Sequence, residues 1–383
     1  MRNFSVVIGA AVVIAAMASS TGALAQGPVR QIPSDNTAYG TTAAEFLLFP
    51  AGARGAALGG SFAALTSDVS AVFFNPAGLA GMERPTAMGS SMNYLAGTRY
   101  GAIAIGFPMS GGSRALGLSI ANFGFGDQPV YTAEDPQGDN GEVYSVNQTV
   151  LGLSYATRFS DRFSAGITAK FINDQLGRTT GQAGAVDFGT TFQAQVSGRP
   201  IRASFVIQNL GTTLQHSGNV LDVTVLRPPP QGQQPVQQEP ALGSLKSKAW
   251  GLPVMFRVAV SYDVFSTSGS RFTALSEFLQ PNNSEPGFNV AGEYNVGMGR
   301  SGFSVAGRAG FTYQPDNNLD PAGASSADYA GFASNVSGEG MDGFSAGGGI
   351  KYSRPGFGVG FDYAYRSLGV LGGVNMVTIA LSW

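Results

Sequence analysis

Few side chains in this sequence are equipped for covalent or redox chemistry. Cysteine is absent from all 383 residues and histidine occurs once, at His216. Disulfides, thiolate metal sites, cysteine nucleophiles and multi-histidine metal centres are thereby removed together. A Ser-His nucleophile would have to use His216, which sits between Gln215 and Ser217 in a polar stretch; a solvated loop histidine is the simpler reading. Glu277 and Glu293 fall on adjacent alternating stretches and are the obvious acid/base pair. Carboxylates among balancing cations are more simply ion-paired supports. The run "GARGAALGG" at 52–60 has the glycines of a phosphate cradle. It lacks the Lys-Ser/Thr ending of a P-loop and follows no convincing strand, so close backbone packing accounts for it better. No enzymatic activity and no cofactor or metal is expected.

Composition says what kind of structure must position these groups. Only 12% of residues are charged, while glycine supplies 55 of 383, against roughly a quarter charged and ~7% glycine in ordinary soluble domains. A net charge of -2 gives no basic surface for nucleic acid. Mean hydropathy is +0.07, and beyond residue 25 no apolar run reaches the ~18 residues of a spanning helix. An α-helical membrane protein is excluded. Residues 1–25 read as a signal peptide: Arg2 opens it, Val6 to Ala18 is apolar, and Ala23-Leu24-Ala25 is a small-x-small cleavage site before Gln26.

Residues 26–45 are a polar, turn-rich leader with little structure expected of their own, and residues 46–85 are an Ala/Gly/Leu stretch suited to short helices joined by tight glycine turns. From Thr86 the pattern switches to period two and predicts fourteen strands. They fall at 86–95, 98–108, 114–124, 144–158, 162–174, 182–196, 201–209, 250–265, 270–280, 286–298, 301–314, 341–353, 357–366 and 373–383. One face of these strands is greasy, as with Phe357, Val359, Phe361, Tyr363 and Tyr365; the other is small or charged, as with Gly358, Gly360, Asp362 and Ala364. The second face receives Lys170, Arg202, Arg257, Arg308 and Lys351 together with Asp187, Asp263, Glu277, Glu293 and Asp362. The two signs balance.

A soluble sandwich and a membrane barrel of reversed polarity share this alternation. The connections decide between them. Turns such as "FSDR", "SGRP" and "RPG" alternate with long polar connections at 125–143, 210–249 and 315–340, as in bacterial outer-membrane barrels with short periplasmic turns. The long connection at 210–249 contains a Pro/Gln tract, 227–240, expected to be extended. The final "VTIALSW" alternates Val377, Ile379, Leu381 and Trp383 with small residues; a sheet in lipid must close on itself, so this strand is the expected barrel-closing seam. The expected fold is therefore all-β, a 14-stranded antiparallel transmembrane β-barrel over 86–383 with a small helical plug in its lumen.

The segment 46–82 resembles the N-terminal plug of the FadL-like outer-membrane barrels, closest to the PorV/PorQ branch associated with type IX secretion. The resemblance is carried by "GARGAALGG" at 52–60, "SFAAL" at 61–65, "SDVSAVFFNPAGLA" at 67–80 and the aromatic C-terminus. Physical reading of the same residues makes Asn75 an N-cap, Pro76 the first helical position, and Ala77 and Gly78 part of one rigid turn. Gly55, Gly59 and Gly60 would let the backbone approach a neighbouring wall. The resemblance implies an accessory component of protein secretion in the cell outer membrane that presents its outer loops to cargo or translocon. It also implies recognition of the C-terminal strand by the barrel-assembly machinery. The alternative is a FadL-like transporter of hydrophobic compounds, with a pocket against Phe62, Leu65, Phe73 or Phe74 and a lateral exit at "NFGFGD", 122–127. A purely structural barrel is a third expectation.

Overall fold

The computed structural model describes residues 40–225, 241–313 and 343–383. The signal peptide, the leader up to residue 39, the Pro/Gln tract at 227–240 and the connection at 315–340 lie outside the described residues. Fourteen strands form the wall: β1 (Thr86–Asn93), β2 (Arg99–Met109), β3 (Arg114–Pro129), β4 (Val143–Ser160), β5 (Phe163–Leu176), β6 (Thr179–Val196) and β7 (Arg199–Gly211), then β8 (Met255–Ser266), β9 (Ser270–Pro281), β10 (Gly287–Gly297), β11 (Phe303–Tyr313), β12 (Gly343–Arg354), β13 (Phe357–Ser367) and β14 (Gly373–Ser382). Each pairs antiparallel with its chain neighbour, and β1 pairs with β14 from Thr86↔Ser382 to Asn93↔Asn375. The sheet is closed, so every wall strand has two partners and no edge meets lipid.

Alternation decides which way the side chains face. Outward rows leave Leu118, Leu153, Phe171, Phe205, Ile350, Phe361 and Ile379 exposed, while the inward residues Ala115, Ser154, Thr168, Ala259, Ser261 and Thr273 are buried. Lipid receives the outward rows. Leu153, 55% exposed, lies mid-strand among Ile103, Leu118, Leu151 and Phe171. Leu153→Arg is therefore expected to cost about 2–4 kcal/mol of barrel stability, read from denaturant unfolding in liposomes; a cost near zero would mean this row does not sit at the bilayer centre.

The wall differs from the sequence-based expectation in three places. Strands β3 to β6 run past their expected ends, to Pro129, from Val143, to Leu176 and from Thr179. These ends carry Gly126, Asp127, Gln128, Gln175, Thr179 and Thr180 with only scattered apolar side chains, so apolar alternation stops there although the hydrogen-bond ladder continues. Strand β8 starts at Met255 rather than 250, because Pro253 offers no N–H; Trp250 and Gly251 instead make single bridges to Leu214 and Thr42. Three short strands were not expected: His216–Ser217 pairs with β6, and Asp222–Val225 pairs with Ala241–Ser244.

Inside the wall lies the N-terminal segment. It comprises a 3-10 turn (Glu45–Leu48), α1 (Ala53–Ala57), α2 (Ala71–Phe74) and a second 3-10 turn (Pro76–Gly81). Helices this short are not stable alone; the barrel holds them. The helix α1 packs on β11 to β14, and Pro76–Gly81 on β3 to β6. The backbone turns between them at Gly59 and Gly60, with φ of +68° and +85°, the left-handed region that glycine adopts without strain. The leader residues nearest the barrel are anchored rather than loose: the Ala43 N–H donates to Gly251 O at 2.9 Å. Because Gly251 precedes β8 at the outer end and Pro85 meets Trp383 at the periplasmic end, the segment traverses the lumen from outside to inside.

Candidate functional site

Irregular backbone inside a barrel needs a polar partner for each buried N–H and C=O. The inward side chains supply them. Thr378 Oγ1 accepts the Ala53 N–H at 2.8 Å, Asn289 Nδ2 and Thr312 Oγ1 donate to Gly59 O, Ser261 Oγ donates to Ala64 O, and Gln208 Nε2 donates to Phe73 O at 2.8 Å. Arg158 donates to Ala80 O. The wall thus solvates the plug.

The "NPAG" turn is the tightest part of this contact. Asn75 is fully buried; its Oδ1 accepts the Ala77 N–H at 3.1 Å as an N-cap, and its Nδ2 donates to Ala63 O at 2.9 Å and Thr191 Oγ1 at 3.0 Å. One side chain therefore caps the turn and ties it to β6. Space for the turn comes from glycines on the wall. A Cβ on Gly189 would lie 2.1 Å from Asn75 Oδ1, and one on Gly166 would lie 2.4 Å from the Pro76 carbonyl carbon. Gly55 and Gly78 meet other plug residues, Phe74 and Thr66 respectively.

The inward charges pair off. Lys170 meets Asp187 at 2.6 Å, Arg257 meets Glu277 at 2.9 Å, and Arg202 meets Asp263 at 3.5 Å. A longer chain of charge runs Asp68–Arg54–Glu293–Arg308–Asp362, with Arg54 bidentate on Glu293 at 2.8 and 2.9 Å and Arg308 bridging Glu293 and Asp362 at 2.6 Å each. Arg54 is the plug's share of that chain. Lys351 faces the lumen without an ion pair among the described residues and lines the periplasmic cavity.

The groups singled out for chemistry are not brought together. Glu277 lies opposite Asn289 and Glu293 opposite Thr273, four residues apart along the strands and so separated by about 13 Å; Glu277 is taken up by Arg257, and Glu293 by Arg54 and Arg308. His216 is not the solvated histidine expected of a polar loop: its side chain is 17% exposed, with Nε2 3.7 Å from Asp174 Oδ2. Ser247 Oγ donates to the His216 carbonyl, not to its ring. One G-x-S-x-G string does occur, at 343–347, but its Ser345 is buried within β12 and donates to Ala57 O and Gly310 O at 3.2 Å. That is wall-to-plug support, not a strand-to-helix elbow.

Among the described residues, two lumen cavities stand out. One of about 740 Å³ opens at the periplasmic end between the plug and residues such as Arg271, Lys351 and Ser382. The other, about 250 Å³, lies in the outer half among Leu47, Phe49, Phe73, Phe74, Met92 and Met376. Phe73 and Phe74 of the expected apolar pocket line it. Phe62 and Leu65 do not; they pack into a core with Leu58, Phe74 and Leu275.

Residues 32–218 match the family model described as Type IX secretion system protein PorV. The same family pattern covers the plug and β1 to β7 of the closed barrel just described. Just under half of the chain, including the whole plug, is thus similar to the PorV family. Its fold is shared with solved structures of low identity. The CymD monoaromatic hydrocarbon channel is 12% identical, with 87% of this chain and 96% of that one covered at a TM-score of 0.50. A TodX monoaromatic hydrocarbon channel mutant is 10% identical, with 88% and 98% covered at 0.50. A Pseudomonas aeruginosa FadL homologue is 11% identical, with 87% and 97% covered at 0.44. No curated protein matches the sequence.

The outer rim of the barrel is built from its long connections. Between β3 and β4, Asp135 accepts the N–H groups of Asn140 at 2.9 Å and Asp139 at 3.1 Å; the Asn140 N–H foremost holds its carboxyl below the usual carboxylate range. The excursion between β7 and β8 carries the hairpin of 222–225 and 241–244, with Val220, Leu242 and Leu245 exposed and Leu242 at 87%. The "NFGFGD" stretch is continuously paired from Asn122 to Phe125, and a register shift follows between Phe125 and Gln128 at the outer end.

Sequence reasoning missed some inward groups of the barrel. Asp174, Arg271 and Arg366 share the inward parity of residues that were assigned, so alternation alone could have found them. The wall glycines Gly166 and Gly189 carry no such signal, because a glycine in a strand does not announce what approaches it.

Proposed function

We propose that this barrel is a member of the PorV family and serves protein secretion as an accessory outer-membrane subunit, presenting its outer loops to exported cargo or to the translocon. The observation that carries this reading is the family match over residues 32–218. The filled lumen agrees with it: with residues 42–82 occupying the interior, the barrel is not itself a conduit for polypeptide, and its contribution falls to the rim. There the 222–225/241–244 hairpin offers exposed apolar side chains to a partner. The role is one of binding and presentation without a catalytic step. In this reading the chain is exported by a signal peptide cleaved before Gln26, and the barrel-assembly machinery engages β14 and Trp383.

Pull-down of the tagged barrel from outer membranes is expected to recover a secretion component or cargo, and deletion is expected to deplete secreted proteins from the medium. Recovery of neither, with an unchanged secretome, would overturn the proposal. A second reading, uptake of hydrophobic compounds, is favoured by the 250 Å³ apolar cavity and predicts growth or uptake defects on apolar substrates in the same deletion strain.

A further inference from the structure

The periplasmic mouth of the lumen holds two cations that nothing in the described structure engages. Arg271 on β9 and Lys351 on β12 both line the cavity of about 740 Å³ between plug and wall. Among the described residues Arg271 has no ion pair, and its Nε is buried with no hydrogen-bond acceptor. Lys351 is exposed to the cavity and equally unpaired. Two carboxylates on the same lining are engaged elsewhere: Asp68 by Arg54 at 3.2 Å and by the Ser70 N–H at 2.9 Å, and Asp362 by Arg308 at 2.6 Å. Glu83 is the remaining one, exposed beside Arg84 on the approach to β1. Asn295 lies opposite Arg271 and Ser304 opposite Lys351, and Asn295 is in turn opposite Ala306. Only short side chains therefore separate the two cations. Three strand spacings part their backbones, about 14 Å along the wall, with Lys351 one inward row nearer the mouth, so their long side chains can close on one ligand between them.

Water in the vestibule solvates the Lys351 ammonium. It does not satisfy the Arg271 Nε, whose unmet donor costs free energy until an acceptor arrives. A carboxylate or phosphate that meets the guanidinium side-on, through Nε and Nη together, supplies that acceptor in bidentate form. The surroundings favour such a group. Arg84, Arg114, Arg158, Arg162, Arg199 and Arg354 lie at or beside the periplasmic turns, where the acidic residues among those described are Glu83 and Asp161. A cleft of one prevailing sign between low-dielectric walls concentrates counter-ions. The hydroxyls of Ser270, Ser304 and Ser382 share the lining, so the occupant is hydrophilic. The volume falls within the ~300–1,000 Å³ of small-molecule sites.

We propose that the periplasmic vestibule is a binding site for a small hydrophilic oxyanion carrying at least two negative charges, held side-on by Arg271 and from its other side by Lys351, over the short side chains of Asn295 and Ser304. Phosphate-bearing molecules and dicarboxylates share this chemistry. Binding is non-covalent and is reached from the periplasm. It lies at the opposite end of the barrel from the outer loops and stands whether or not those loops serve secretion.

The test titrates the full chain, held in phosphatidylcholine nanodiscs at low salt, calorimetrically with pyrophosphate, with succinate and with glycerol as the neutral probe. Wild type is expected to bind at least one of the two anions saturably and to show no binding of glycerol. Tighter binding of pyrophosphate assigns a phosphate-bearing ligand, and tighter binding of succinate a dicarboxylate. Arg271→Gln and Lys351→Gln should each weaken the anion by about fivefold or more, and Arg271→Lys by less. Arg162→Gln removes a cation of the same rim outside the vestibule and should change the affinity by less than about twofold. No saturable binding of either anion, anion binding untouched by both Arg271→Gln and Lys351→Gln, or an equal loss in Arg162→Gln, which marks the general field of the rim and no site, would each overturn the assignment. Heat-modifiable gel mobility verifies that each variant is folded; if Arg271→Gln does not fold, Lys351→Gln set against Arg162→Gln decides.

Discussion

Glu293→Ala is expected to destabilise the folded barrel by about 3–5 kcal/mol. The carboxylate is fully buried and holds Arg54 from the plug and Arg308 from β11 through three contacts of 2.6 to 2.9 Å. Its removal leaves the buried Arg308 guanidinium facing the partly exposed Arg54, with only Asp68 and Asp362 as remaining partners. Breaking one member of such a group costs more than the group contributes, because the stranded charges stay desolvated. The loss should appear as a lower denaturant midpoint and as faster proteolysis within the plug. Combining Glu293→Ala with Arg54→Met should recover part of it, since one stranded cation goes with its partner. A change below about 1 kcal/mol, or no recovery in the double variant, would show that this chain of charge is not what holds the plug.

The second large effect belongs to a residue with no side chain. Gly189→Val places a branched group where even a Cβ would sit 2.1 Å from Asn75 Oδ1 and 2.9 Å from Pro76 Cδ. Neither neighbour can yield, because Asn75 is held by its cap and its bonds to Ala63 and Thr191. The turn must leave the wall, at a cost above the ~1–3 kcal/mol usual for overpacking, and its buried backbone groups lose partners as it goes. Reduced yield of heat-modifiable barrel and new protease sensitivity near residue 75 are the expected readouts. Gly360→Ala is the control, since nothing lies within 4 Å of its Cβ position; it should stay within about 0.5 kcal/mol of wild type. Equal behaviour of the two variants would mean the plug has slack against β6.

Much of the wall was legible because lipid imposes a strict alternation. Phe357, Phe361, Tyr363 and Tyr365 face out and Gly358, Asp362 and Ala364 face in for the same reason that makes β13 readable. The rule weakens wherever the sheet no longer separates oil from water. Asp174 and Gln175, both near the outer end of β5, sit where hydrophobicity distinguishes the faces poorly, and the expected strand stopped there. The plug could be read in its local chemistry, as at Asn75 and Pro76, but not in its contacts. Phe62 and Leu65 look the same in sequence whether they line a void or fill one. Arg54 could be assigned a lumen partner in kind, but not Glu293 in particular, since the register of plug against wall depends on packing across 239 residues of separation.

The interlocking of Gly166 and Gly189 with the Pro76 turn has a bearing on biogenesis. A finished hoop with recesses already occupied by the turn's backbone leaves little room for threading some forty residues through it afterward. The more direct route is envelopment: the hairpins gather around the N-terminal stretch as they form, and the zipping of Thr86 against Ser382 is the last event, sealing a cargo the polypeptide brought with it.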